Sequence, residues 1–258
     1  MIFRQLLDPE TSTWTYLLAD GGEAVLIDPV LEQLERDRTL LTEFSLRLVA
    51  TLETHVHADH VTAGGRLREA LGSRVVVGAA TGVENADLTL ADGERFSFGD
   101  LGLEARATPG HTAGCTTFVC HAHGMAFTGD ALLIRGCGRT DFQQGDARAL
   151  FGSVREKIFT LPDDTLLYPG HDYRGRTVTT VAEEKAFNPR LGLARDVDEF
   201  LGIMAALDLA YPKRIDIAVP ANLVSGLIAQ PPAEPKPVAA AMEELGRQDA
   251  ERWQGMGI

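Results

Sequence analysis

The chain has 258 residues, 45% of them hydrophobic, enough for one sizeable core or a main domain with a small appendage. Its formal net charge is −13, which repels phosphate backbones and excludes nucleic acid as a partner. The three cysteines (Cys115, Cys120 and Cys137) form no CxxC pair, which argues against a disulfide framework or zinc knuckle and for a reduced, cytoplasmic setting. The first residues, Met1-Ile-Phe-Arg-Gln-Leu-Leu-Asp8, carry no signal-peptide pattern, and no apolar run approaches a membrane span.

In chain order, Thr13 to Ala19 and Ala24 to Asp28 are β-rich runs around Asp20-Gly-Gly-Glu23, a hairpin signal closed by Asp28-Pro29. Leu31 to Phe44 alternates leucines with charges at helical spacing and reads as a surface helix. Leu46 to Leu52 is a buried strand, and Ala63 to Leu71 is helix-like. Gly64-Gly65 at that helix start signals close backbone approach. Val75-Val-Val77, Glu94 to Phe98 and Leu103 to Ala107 are short strands, and Thr116 to Cys120 with Met125 to Thr128 form a second hairpin. Ala147 to Phe159 is helical, and Thr165 to Tyr168 is a strand. Val178 to Phe187 and Val197 to Leu207 are helical, split by Asn188-Pro189. Ile215 to Val219 is a short apolar run. Pro231 to Pro237 is a proline-rich linker, and Val238 to Trp253 a terminal helix that packs on the body or on a partner chain. A homodimer is thus allowed.

The chain centres on Thr54-His-Val-His-Ala-Asp-His60, the loop after the buried strand, where α/β folds place ligands. Three of seven histidines fall here. Ligands spaced by two in an extended loop share a side, so His55, His57 and Asp59 are expected to face one point. His111, Asp130 and His171 each follow a further strand. Four polar residues at four strand ends, on one sheet edge, build a site rather than a core. His121 and His123 share HxH spacing but sit in a hairpin turn with no acid nearby in sequence, and read as solvated turn residues.

His55, His57, Asp59, His60, His111, Asp130 and His171 are therefore seven candidate ligands for one or two metals. An imidazole and carboxylate set without thiolate suits zinc, iron or manganese. Two histidines and one carboxylate leave about three open positions on octahedral Fe(II), which O2 and a substrate sulfur can share. Two metals would instead hold a bridging hydroxide for hydrolysis. Spacing offers ligands for both.

Thr54 to His60, Pro109-Gly-His-Thr-Ala-Gly114, Gly129-Asp130 and Pro169-Gly-His171 resemble the metallo-β-lactamase superfamily, which implies an αββα sandwich, here followed by a short C-terminal extension. Within it, Phe127 to Gly145, Pro169 to Tyr173, Asn188-Pro-Arg190 and Ile215 to Asn222 resemble the persulfide dioxygenases, also called the sulfur dioxygenase or ethylmalonic encephalopathy protein family. The resemblance runs from about residue 3 to about 226. It implies a catalytic domain over 1–230, with the proline-rich linker and helical tail, 231–258, outside it. It implies oxidation of glutathione persulfide by O2 to sulfite and glutathione, in sulfide catabolism, at one Fe(II) per chain. The ligands carried over are His55, His111 and Asp130, with His57, Asp59, His60 and His171 around them as supporting residues or remnants of a second site. Arg139 and Tyr173 match positions near the glutathione cleft. Arginine pairs planar carboxylates in a fork, and glutathione carries two; the plainer role for Arg139 is an ion pair with Asp141. Cys137 reads as a packed residue. This chain has Pro-Gly-His where the family often has Pro-Ala-His. Two other functions compete: a glyoxalase II-type hydroxyacylglutathione thioester hydrolase, which needs two metals, and a non-catalytic persulfide or metal sensor.

Overall fold

A computed structural model describes residues 1–227; the proline-rich linker and terminal helix expected at 231–258 lie outside the described residues. Two six-stranded sheets face each other. The first takes the order β1 (Ile2–Asp8), β2 (Thr13–Asp20), β3 (Glu23–Ile27), β4 (Arg47–Glu53), β5 (Arg74–Gly78) and β6 (Leu88–Leu90). Its first three strands are antiparallel, and β3 to β6 are parallel. The second runs β12 (Thr179–Thr180), β11 (Leu166–Pro169), β10 (Met125–Gly129), β9 (Thr116–Cys120), β8 (Leu101–Ala107) and β7 (Arg95–Phe98).

Strand β2 shows why the layers form. Trp14, Tyr16 and Leu18 enter the core between the sheets, where Phe98, Leu103, Phe118 and Phe127 meet them. The alternate residues Leu17 and Ala19 enter an outer core with Leu41 of α1 (Leu34–Glu43) and Leu67 of α2 (Gly64–Leu71). A strand covered on both faces reads as a continuous apolar run, as this one does. The outer face of the second sheet carries Val119, Ala126 and Leu167 against Leu150 of α3 (Ala147–Ser153), Val181 of α4 (Val181–Phe187) and Phe200 of α5 (Val197–Ala205). The order is helix, sheet, sheet, helix, the αββα sandwich expected.

Several elements differ from the sequence reading. Edge strand β1 pairs along its full length with Thr13 to Ala19 of β2, and three-residue β6 extends the first sheet. The helix expected over 147–159 begins where the Asp146 carboxylate accepts the Ala149 N–H, then widens to a π turn over Val154–Ile158. Ile215–Asn222 is a helix, α6, with Pro220 inside it. Ile215, Ala218, Ala221 and Asn222 are its buried residues, a helical period that outweighs the proline. At the start of α2, a Cβ on Gly65 would lie 2.4 Å from the Ser225 carbonyl, so that glycine is required by close approach. Among the described residues no helix is long and apolar enough to cross a membrane.

Candidate metal centre

Strand β4 delivers the histidine loop. Asp28, at the end of β3 with φ +52°, accepts the Thr54 N–H and the Thr54 hydroxyl, each at 2.7 Å. The Thr54 oxygen, its own proton committed, lies 2.9 Å from Nδ1 of His55 and accepts there, which leaves Nε2 of His55 as the free donor. From α6, Asn222 donates to the carbonyls of His57 and His60 at 2.9 and 2.8 Å and accepts the Thr62 N–H. The loop is thus fixed from both ends.

The second sheet supplies the partners. His111 follows β8 and donates from Nδ1 to the Arg139 carbonyl at 2.6 Å, so its Nε2 is free. That Nε2 lies 3.8 Å from Oδ2 of Asp130, which follows β10. Two metal bonds of about 2.1 Å span such a gap. The other Asp130 oxygen accepts His171 Nδ1–H at 2.7 Å. Donor atoms of His55, His111 and Asp130 all lie within 4.8 Å of one another. Metal binding needs neutral imidazole and ionised carboxylate. Burial, then the neighbouring His57 and His111, hold His55 well below its ordinary value. Burial pushes Asp130 up, but His171, His111 and His55 outweigh it and hold the carboxyl well below the usual range. The donor set fits one divalent cation. Gly138 permits it: a Cβ there would come 2.7 Å from both the His111 ring and the Asp130 carbonyl.

His57, Asp59, His60 and His171 form a second group with donor atoms within 4.8 Å. His60 Nδ1 and His171 Nε2 each lie 3.1 Å from one oxygen of Asp59. The expectation that His55, His57 and Asp59 face one point is not met. The loop bends instead of extending, and His57 Nε2 turns to 3.2 Å from Asp28 and 3.9 Å from Glu53. Both His57 ring nitrogens are buried without a hydrogen-bond partner. Nor do the four residues sit on one sheet edge: His55 ends a strand of the first sheet, and His111, Asp130 and His171 end strands of the second. The site lies on the common rim of the sandwich.

Residues 8–171 match the metallo-beta-lactamase superfamily. The chain is 55% identical over 230 residues to the mitochondrial persulfide dioxygenase ETHE1 of Homo sapiens, covering 88% of this chain and 89% of that protein. The crystal structure of ETHE1 from Myxococcus xanthus superposes with a TM-score of 0.85 at 50% identity, covering 88% of this chain and all of that one. The chain belongs to the persulfide dioxygenases of the metallo-β-lactamase superfamily. A hydroxyacylglutathione hydrolase of Cereibacter sphaeroides is more distant, 37% identical over 63% of this chain and 64% of its own length.

In this persulfide dioxygenase, Arg139 does form the ion pair with Asp141, donating from Nε at 2.6 Å and Nη2 at 2.7 Å. It also donates to the carbonyls of Ala210 and Leu209 and lies 4.6 Å above the Phe142 ring. Tyr173 is 73% exposed, its ring parallel to His171 at 6.0 Å. Cys137 is packed between Met204 and Arg190, and burial pushes its thiol up to about 11. His121 has an acid partner after all: its Nε2 lies 2.5 Å from Glu104, across the hairpin on strand β8. Sequence reading missed the supporting roles of Asp28, Thr54 and Asn222. Asp28 alone left a signal, a carboxylate directly ending an apolar strand.

Proposed function

We propose that the chain oxidises the terminal sulfur of glutathione persulfide with O2, at a single Fe(II) held by His55, His111 and Asp130. The balanced reaction takes persulfide, O2 and water to glutathione and sulfite, with cleavage of the sulfur–sulfur bond. What carries the metal assignment is a two-imidazole, one-carboxylate group in which the far atom of each member is already tied: His55 by Thr54, His111 by the Arg139 carbonyl, Asp130 by His171. Such a set leaves adjacent positions for substrate and O2. Iron, when bound, supplies the one-electron chemistry that O2 requires.

The chain's own residues then bind and orient. Tyr173 offers an exposed ring beside His171 as a wall for the tripeptide. Arg139 takes a glutathione carboxylate by exchanging it for Asp141, whose two oxygens already occupy the fork. His171 holds Asp130, and Asp59 in turn braces His171 and His60, with His57 packed beside His55; such supporting contacts are worth ~10–100-fold in affinity or activity.

The test is oxygen consumption and sulfite release by iron-loaded protein given glutathione persulfide. One O2 consumed per persulfide is expected. The neighbouring second group, and the distant hydrolase relative, support the thioester-hydrolase alternative. Cleavage of a hydroxyacylglutathione without oxygen uptake, at two bound metals, would replace the dioxygenase assignment with that one.

A further inference from the structure

We infer that the Thr13 hydroxyl occupies the point on which the second group of donors converges, and so limits the chain to one metal. This rests on the single-iron assignment above. By chemistry alone His57, Asp59, His60 and His171 could take a second divalent cation, since their donor atoms lie within 4.8 Å of one another. Yet one oxygen reaches three of the four. Thr13 Oγ1 lies 3.1 Å from His171 Nε2, 3.2 Å from Asp59 Oδ2 and 3.4 Å from His60 Nδ1. These are hydrogen-bond separations, about 1 Å longer than a metal bond of roughly 2.1 Å.

A hydroxyl carries one proton and two lone pairs. Its proton is shared between Asp59 Oδ2 and Thr11 Oγ1, and its two lone pairs face His171 Nε2 and His60 Nδ1. Those two nitrogens are turned to the hydroxyl, while His60 Nε2 is buried without a hydrogen-bond partner. The hub is built rather than incidental. Thr13 is fully buried. Its oxygen is also 2.6 Å from Thr11 Oγ1, which donates to Asp8 at 2.7 Å. The backbone fixes the same contact. Thr13 bridges to His171, and Trp14 N–H donates to the Gly170 carbonyl at 2.8 Å. The start of β2 is thus fastened to the loop bearing His171.

The experiment counts metal. Wild type, Thr13→Ser and Thr13→Ala are each dialysed against excess Mn(II), and bound ions per chain are measured by elemental analysis. Wild type and Thr13→Ser, which keeps the hydroxyl, are expected to hold one ion. Thr13→Ala is expected to hold two, with the broadened paramagnetic resonance of a coupled pair. One ion in a folded Thr13→Ala refutes the role of Thr13 and leaves the single-iron assignment standing. Anomalous scattering from Mn(II)-soaked wild-type crystals needs no variant. A single peak at His55, His111 and Asp130, with Thr13 still against Asp59, supports the proposal. A second peak held by Asp59 and His171 overturns both the proposal and the single-iron assignment.

Discussion

On the proposed role of Arg139, Arg139→Ala should separate substrate binding from metal binding. In the free protein the guanidinium is committed: Asp141 takes two of its N–H groups, and Ala210 and Leu209 carbonyls take others. A substrate carboxylate therefore gains a charged hydrogen bond of about 1.5–3 kcal/mol but displaces an existing pair. Asp141 is 57% exposed, and an exposed pair is worth roughly 0–1 kcal/mol. The net is about 0.5–3 kcal/mol, which at ~1.4 kcal/mol per tenfold raises KM by roughly 2–100-fold. Iron content stays at parity, because His111 is held by the residue's backbone carbonyl, which alanine retains. Steady-state oxygen uptake against glutathione persulfide concentration, with iron measured on the same samples, tests this. A persulfide lacking the glutathione carboxylates should lose little. Asp141→Ala should act oppositely, freeing the fork and lowering KM by up to about 5-fold. An unchanged KM in Arg139→Ala refutes the exchange, and loss of iron would make the side chain structural.

His55→Ala should lose most of its metal by elemental analysis; full retention would rule His55 out as a ligand. Asp59→Ala and His171→Ala should keep measurable turnover at saturating iron, down by ~10–100-fold. Loss of one of two tightly bound metals in His171→Ala would contradict the single-iron assignment. Asp37 is buried in α1, and burial raises its carboxyl to about 6 despite Arg36. A folded value above the ordinary 3.8 means the native state holds the proton more tightly. The cost of ionising it is absent below pH ~3.8 and complete above pH ~6, where it reaches roughly 3 kcal/mol. Asp37→Asn should therefore stabilise the fold at pH 8 and not at pH 3.5; a gain independent of pH in denaturant melts would refute that origin.

The candidate donors were legible because each follows an apolar run, and a polar residue at the end of a buried strand has few structural reasons to be there. Their grouping was not legible. Whether His57 joins His55 or turns to Asp28 depends on the bend of a loop and on a carboxylate 29 positions earlier in the chain, which no local pattern encodes. Thr13 was read only as a β-former, since its polar contact is with His171, 158 residues away. The same holds for Arg139, whose reach to the Ala210 carbonyl exists only after α5 has folded over the second sheet. Strand β1 escaped notice because a half-buried edge strand shows neither strict alternation nor a continuous apolar run. The αββα layering was legible where strands are covered on both faces, as in β2.

A protein of net charge −13 recognising an anion raises the question of long-range repulsion. At physiological ionic strength the screening length is about 8 Å, so carboxylates on remote faces of the sandwich contribute little at the rim. Charges at the rim decide. There the charges are paired locally: Asp141 faces Arg139, and His171 lies between Asp130 and Asp59. An arriving carboxylate that displaces Asp141 leaves the pairing of Arg139 unchanged and returns an exposed aspartate to water. If Arg139 binds substrate as proposed, recognition by exchange would give modest affinity and strong geometric demand, since only a planar carboxylate matches the fork that Asp141 already fills. A persulfide without such a group has no partner to exchange.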